Sequence, residues 1–224
     1  MTFSLVGRCA NTGQFGMVIS SSSPAVAARC AHARAGVGAV ASQNVTDPAL
    51  GPRGLDLMAS GATAAEAVSI LARTARHPDY RQILAVDAAG QTAIHSGQNA
   101  LGIWAEAHGT DCAAGGNLLA NDGVPTAMTK TFANSTGDLG DRLMAALEAG
   151  LAAGGEAGPV HSAGLLIVRE VSWPVADLRI DWTQDCPIAA LSAAWQVYKP
   201  QLDAYVTRAL DPTRAPSYGV PGDA

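Results

Sequence analysis

Apolar and small or polar residues alternate through Phe3-Ser4-Leu5-Val6-Gly7, the two-residue period of a half-buried strand. Asn11-Thr12-Gly13 is turn chemistry, and Phe15-Gly16-Met17-Val18-Ile19-Ser20 returns as the partner strand. A third strand is expected over Ala35-Gly36-Val37-Gly38-Ala39-Val40-Ala41, where the glycines suit close approach of another backbone. Asp47-Pro48, Gly51-Pro52 and Gly54 read as a shaped turn with Arg53 exposed on it. Thr63-Ala64-Ala65-Glu66 is a capping box that opens a helix carried on by Ala67, Ile70 and Leu71. Gln82 to Asp87 and Gln91 to His95 form a second predicted hairpin around Ala88-Ala89-Gly90, and Cys112 to Leu119 a further strand. Helices are expected over roughly 125–133 and 139–152, ended by the loop Gly154-Gly155-Glu156-Ala157-Gly158. Strands follow at Ser162 to Val168 and Asp177 to Trp182. A last helix starts near Pro187, breaks at Lys199-Pro200 and resumes to Leu210.

Strands and helices come in groups rather than in strict alternation. That order predicts an α+β fold with antiparallel sheets, and the two strand sets and two helix pairs suit a four-layer αββα sandwich. Residues 1–210 form one expected domain. Residues 211–224, with three prolines and two glycines, form a tail lying on a surface.

Composition narrows the partners. With 48% hydrophobic and 15% charged residues the chain is globular, and a net charge of −5 argues against nucleic acid and anionic membranes. No apolar stretch reaches membrane-spanning length, so a cytoplasmic protein acting on a small molecule is expected. The scattered Cys9, Cys30, Cys112 and Cys186 read as reduced, buried thiols. Trp195, Tyr198 and Tyr205 in the apolar last helix suggest a surface in need of cover, hence a homodimer.

The candidate chemistry starts at Thr2. Removal of the initiator methionine would leave a threonine whose own α-amine, with an ordinary pKa of about 7.7–8.0, can take the hydroxyl proton. Ser20-Ser21-Ser22-Ser23 ends the partner strand, so Ser21 and Ser22 are pocket candidates or a polar loop. Ser42, Asn44 and Asn117 stand at predicted strand ends, where the asparagines serve a pocket or cap a turn. Arg8, Arg53 and Arg81 are candidates for holding a substrate carboxylate, with nothing to rank them. The five histidines lack HxH, HxxxH and HExxH spacing, no GxSxG elbow occurs, and no glycine cluster completes a phosphate loop. No metal or cofactor is expected. His161-Ser162 reads as a strand start.

Six segments, in order along the chain, carry a resemblance: Thr2-Phe3-Ser4-Leu5-Val6, Gly36 to Gln43, Asp47 to Leu55, Tyr80-Arg81-Gln82 with Val86-Asp87, Gly116-Asn117-Leu118-Leu119, and Asp177-Leu178-Arg179. They resemble the bacterial domain-of-unknown-function family 1028, which by its fold is placed among the N-terminal-nucleophile (Ntn) hydrolases. The resemblance implies the αββα sandwich, Thr2 as nucleophile and the α-amine as base, in hydrolysis of an amide; a ureido or acyl-amide compound is the expected substrate class, though no sequence feature identifies it. Threonine-type enzymes of that superfamily place an acid after the second strand and a lysine on the third. Here no acidic residue precedes Asp47 and no lysine precedes Lys130, so a non-catalytic protein on the same fold, binding a metabolite or serving as an oligomeric partner, is the rival expectation.

Overall fold

A computed structural model of the chain describes residues 2–219. Three buried apolar clusters separate four layers: helices, a six-stranded sheet, a four-stranded sheet, and helices again. The larger sheet runs β10 (Ala176–Ile180), β9 (Ser162–Val168), β2 (Phe15–Ser21), β1 (Thr2–Arg8), β8 (Cys112–Asn117), β7 (Ala105–Gly109). The smaller runs β3 (Ala31–Arg34), β4 (Gly38–Asn44), β5 (Arg81–Asp87), β6 (Thr92–Ser96). Every pairing is antiparallel. The fold is therefore the α+β, four-layer αββα sandwich that the grouped order of elements predicts.

Strand alternation decides which side chains meet between the sheets. Phe3 and Leu5 point outward into the cluster shared with α4 (Val124–Asn134), α5 (Leu139–Ala152) and α6 (Pro187–Tyr198). Val6, Met17, Ile19, Ala39, Ala41 and Leu84 point inward and form the cluster between the sheets. Val40, Ile83 and Ala85 face α2 (Leu50–Ala59) and α3 (Ala64–Thr74) on the far side. By the same alternation Thr2 and Ser4 share the inward face with Val6.

Several local expectations change. The segment 47–55 is the approach to helix α2 and its start rather than a shaped turn; Pro52 sits in the first helical turn, where its missing N–H costs nothing. The third strand begins at Gly38 rather than Ala35, because Gly36 occupies the turn after β3 with φ +70°. Strands β3 and β7 and the short helix α1 (Val26–Cys30) add to the elements expected. The capping box of α3 is present in full, and the last helix breaks at Lys199–Gln201 before α7 (Leu202–Leu210). Cys186 is exposed, whereas Cys9, Cys30 and Cys112 are buried. The tail is described to residue 219, where Tyr218 lies under the Arg208 guanidinium on α7. Residues 220–224 of the expected tail lie outside the described residues, as does Met1.

Candidate active site around Thr2

Thr2 is the first residue of β1, one of the two central strands of the larger sheet. The antiparallel register sets it opposite Asn117 of β8 on one side. On the other, continuation of the Phe3–Ser20 pairing sets it opposite Ser21 of β2. Cross-strand partners share a face, so the three side chains converge at one end of the space between the sheets. Thr2 is 5% exposed, and Ser21 and Asn117 are wholly buried. The Thr2 hydroxyl donates to Ser21 Oγ at 3.4 Å, a loose contact for two hydroxyls. Ser21 Oγ also accepts the Ser23 N–H at 3.0 Å. Ser162, at the start of β9, accepts the Val26 N–H and donates to the Ser23 carbonyl, which fixes the serine loop.

Behind Thr2 lies a polar network crossing between the sheets. Ser4 Oγ donates to Gln43 Oε1 at 2.7 Å, and Gln43 Nε2 donates to Gln82 Oε1 at 2.8 Å and to the Gly115 carbonyl at 3.1 Å. Asn117 Nδ2 donates to the same Gln82 oxygen, while Gln82 Nε2 serves Ser96 Oγ and the Gly116 carbonyl. Backbone carbonyls can only accept, so they orient both glutamine amides, and the Gln82 oxygen in turn orients Asn117. Asn117 Oδ1, fully buried, has no hydrogen-bond partner among the described residues. Gly116 permits this arrangement, since a Cβ there would meet Leu119 and stand 3.0 Å from the Thr2 carbonyl.

A carboxylate closes the end. Leu118, in the left-handed region with φ 50°, turns the chain after β8 so that its carbonyl accepts the Ala157 N–H. An isolated bridge joins Leu119 to Glu156. From there both Glu156 carboxylate oxygens accept the Ser22 N–H, at 3.0 and 3.2 Å. Glu156 thus ties the end of β2 to the end of β8, across the place where the chain enters β1 between them. It is 4% exposed, and burial pushes its carboxyl up to about 7. The positive charge at the chain's amino terminus, the Ser22 hydrogen bond and His161 act in the opposite direction. His161 donates from Nδ1 to the Thr183 carbonyl at 2.8 Å, and its ring stacks on Trp182 at 4.5 Å.

Of the residues singled out in the sequence, Thr2, Ser21 and Asn117 come together, and Ser22 joins through its backbone N–H. The others do not. Ser42 faces away from Thr2, on the opposite side of β4 from Gln43, and donates to the Asp47 carbonyl. Asn44, with φ 71°, spends its amide on the Tyr80 carbonyl and the Leu101 N–H. Arg8 stands at the other end of β1, about 20 Å along the strand, and pairs with Asp111 at 2.8 Å. The Arg81 guanidinium donates to the carbonyls of Val45 and Arg76. Arg53 is exposed on α2, which packs on the outer side of the smaller sheet. Sequence reasoning missed Glu156, Gln43 and Gln82. The available signal for Glu156 was a lone acid in the glycine-rich loop Gly154-Gly155-Glu156-Ala157-Gly158; the glutamines gave none beyond polar residues at strand ends.

A model of a family of unknown function, DUF1028, matches residues 2–191. The chain belongs to this family. The crystal structure of protein SPO2555 from Silicibacter pomeroyi, described as a member of the same family, matches with a TM-score of 0.81 and 29% identity, over 89% of this chain and 88% of that one. Anbu (ancestral beta-subunit) from Yersinia bercovieri gives a TM-score of 0.39 at 13% identity, over 91% of this chain and 97% of that one, too low a score to carry an argument. No curated protein matches. Among the described residues, no helix is long and apolar enough to cross a membrane.

Proposed function

We propose that this DUF1028 chain is an Ntn-type amidohydrolase of a small soluble substrate, with Thr2 as nucleophile after removal of Met1. The reading is carried by one observation: the Thr2 hydroxyl opens a central strand and faces the gap between the sheets, flanked by Ser21 and Asn117. In the proposed step Thr2 Oγ1 attacks the amide carbonyl carbon and its proton passes to the α-amine. The amine returns that proton to the leaving nitrogen as the C–N bond breaks, and water then hydrolyses the acyl ester. Asn117 Oδ1, a buried acceptor opposite the nucleophile, suits an N–H of the substrate, consistent with a ureido or acyl-amide compound.

The first test is the intact mass of the protein from its native host: loss of Met1 is expected, and its quantitative retention would sink the mechanism. In a screen of ureido and acyl-amide compounds, Thr2→Ala should stay folded and lose turnover by a factor of roughly 10³ or more. Undiminished turnover would put the nucleophile elsewhere.

A second reading, a non-catalytic metabolite-binding protein, is favoured by the positions of the two lysines. Lys130 is on α4, and Lys199 follows α6 and pairs with Asp138 and Asp141, so neither is at Thr2. Ligand-induced stabilisation equal in the parent and in Thr2→Ala, without turnover, would select it. On either reading we place the protein in the cytoplasm as a homodimer.

A further inference from the structure

We propose that Glu156 is the positioning residue for the Thr2 α-amine, holding it as an ion pair at the mouth of β1. This rests on the reading of Thr2 as a free amino-terminal nucleophile. Two observations place the carboxylate. Its oxygens are bound to the Ser22 N–H, one residue beyond the serine that faces Thr2. Its backbone bridges to Leu119, two residues beyond the asparagine that faces Thr2 from the other side. A chain shortened to begin at Thr2 ends between those two anchors. Among described residues, Glu156 is the buried carboxylate at this end of the sandwich, the other buried acid being Asp87, whose oxygens accept the N–H groups of Ala64, Ala89 and Gln91. Among the described residues, the elements around Glu156 present uncharged groups (Ser22, Leu118, Leu119, Ala157) apart from His161, which directly precedes β9.

The chemical consequence follows from the proton's path. When Oγ1 bonds to the carbonyl carbon, its proton converts the amine to an ammonium beside a carboxylate. When the C–N bond breaks, that proton leaves with the departing nitrogen. Glu156 exchanges no bond and carries no net proton; it stabilises the ammonium between the two steps and raises the pH at which the amine is free to act as base.

The test uses protein released from a cleavable fusion so that Thr2 is the first residue regardless of host processing, with the threonine nitrogen labelled for NMR titration. In Glu156→Gln the amide oxygen still accepts the Ser22 N–H, so the fold is retained while the charge is lost. The midpoint of the Thr2 amine should fall by about one pH unit or more relative to the parent. Coincident midpoints would overturn the assignment. Because linkage is reciprocal, the Glu156 carboxyl of the parent should also titrate lower with the amine free than with it acetylated, by a comparable shift. This second measurement needs no substitution, and an unchanged carboxyl would likewise refute the pairing. Neither arm depends on turnover, so a failure here is separable from retention of Met1 or an active Thr2→Ala, which would refute the nucleophile instead.

Discussion

Thr2 and Glu156 reach the same place by different routes. Thr2 is legible in the sequence, because a small hydroxyl residue after an initiator methionine at the start of an alternating strand is a local pattern. Glu156 is not, since its position depends on where α5 ends and on the left-handed turn at Leu118. Its burial has a consequence for stability. With the folded carboxyl raised from 4.5 to about 7, the native state holds a proton that the unfolded state has already released. The resulting stabilisation is fully present below about pH 4.5 and is lost as the pH rises through about 7. Glu156→Gln, which does not titrate, should therefore gain on the parent by roughly 1–3 kcal/mol between pH 4.5 and pH 8. Urea unfolding at both pH values, on protein retaining Met1, reads this directly; a constant difference between the two proteins would contradict it.

At the scale of elements, the two sheets are joined by polar groups at the Thr2 end and by apolar ones beyond it. Strands β4, β5 and β8 contribute Gln43, Gln82 and Asn117, whose amides interlock with Ser4 of β1. Such a network specifies register, since slipping any strand by one residue would turn its amide to the other face. Gln82→Leu removes the acceptor for two amide donors and the donor to the Gly116 carbonyl, all buried, and the donor to the part-buried Ser96 Oγ. It should cost about 2–4 kcal/mol in urea unfolding. It should also broaden or shift the NMR resonances of Thr2. A change within about 0.5 kcal/mol would show that the sheets are held by their apolar cluster alone.

At the scale of the whole molecule, the covering of surfaces separates what is packed inside the chain from what is left exposed. Trp195, one of the residues behind the expectation of a dimer, is buried within the chain: its ring lies against Gly140 of α5 and its N–H donates to Asp141 at 2.9 Å. Tyr198 donates to the Val175 carbonyl and stacks on the partly exposed Tyr205. A different group is exposed, Leu101, Ile103 and Trp104 before β7, together with Val45 and Tyr80. Asn44 connects them by bonding both the Tyr80 carbonyl and the Leu101 N–H. The proposed homodimer should therefore depend on this group rather than on α6 and α7. Light scattering should give twice the chain mass for the parent and for Tyr205→Ser, and a smaller mass for Trp104→Ser. A monomeric parent would end the dimer proposal.

The sequence by itself determined the grouping of strands and helices, the α+β class and the position of Thr2 at the head of a strand, but not β3, β7, α1 or α2. These follow from periodicity, caps and turn residues, which act over a few neighbours. Where local cues conflicted it misled: Asp47 to Leu55, rich in proline and glycine, reads as a turn until packing of Leu50, Leu55 and Met58 on the smaller sheet makes it a helix. Tertiary structure alone decided which polar groups face one another. Ser42 and Gln43 are adjacent in sequence and lie on opposite sides of β4, whereas Thr2, Ser21, Asn117 and Glu156 are far apart in sequence and meet at one end of the sandwich. The reason is that pairing order and register, set by burial across the whole sheet, place side chains that no local pattern relates.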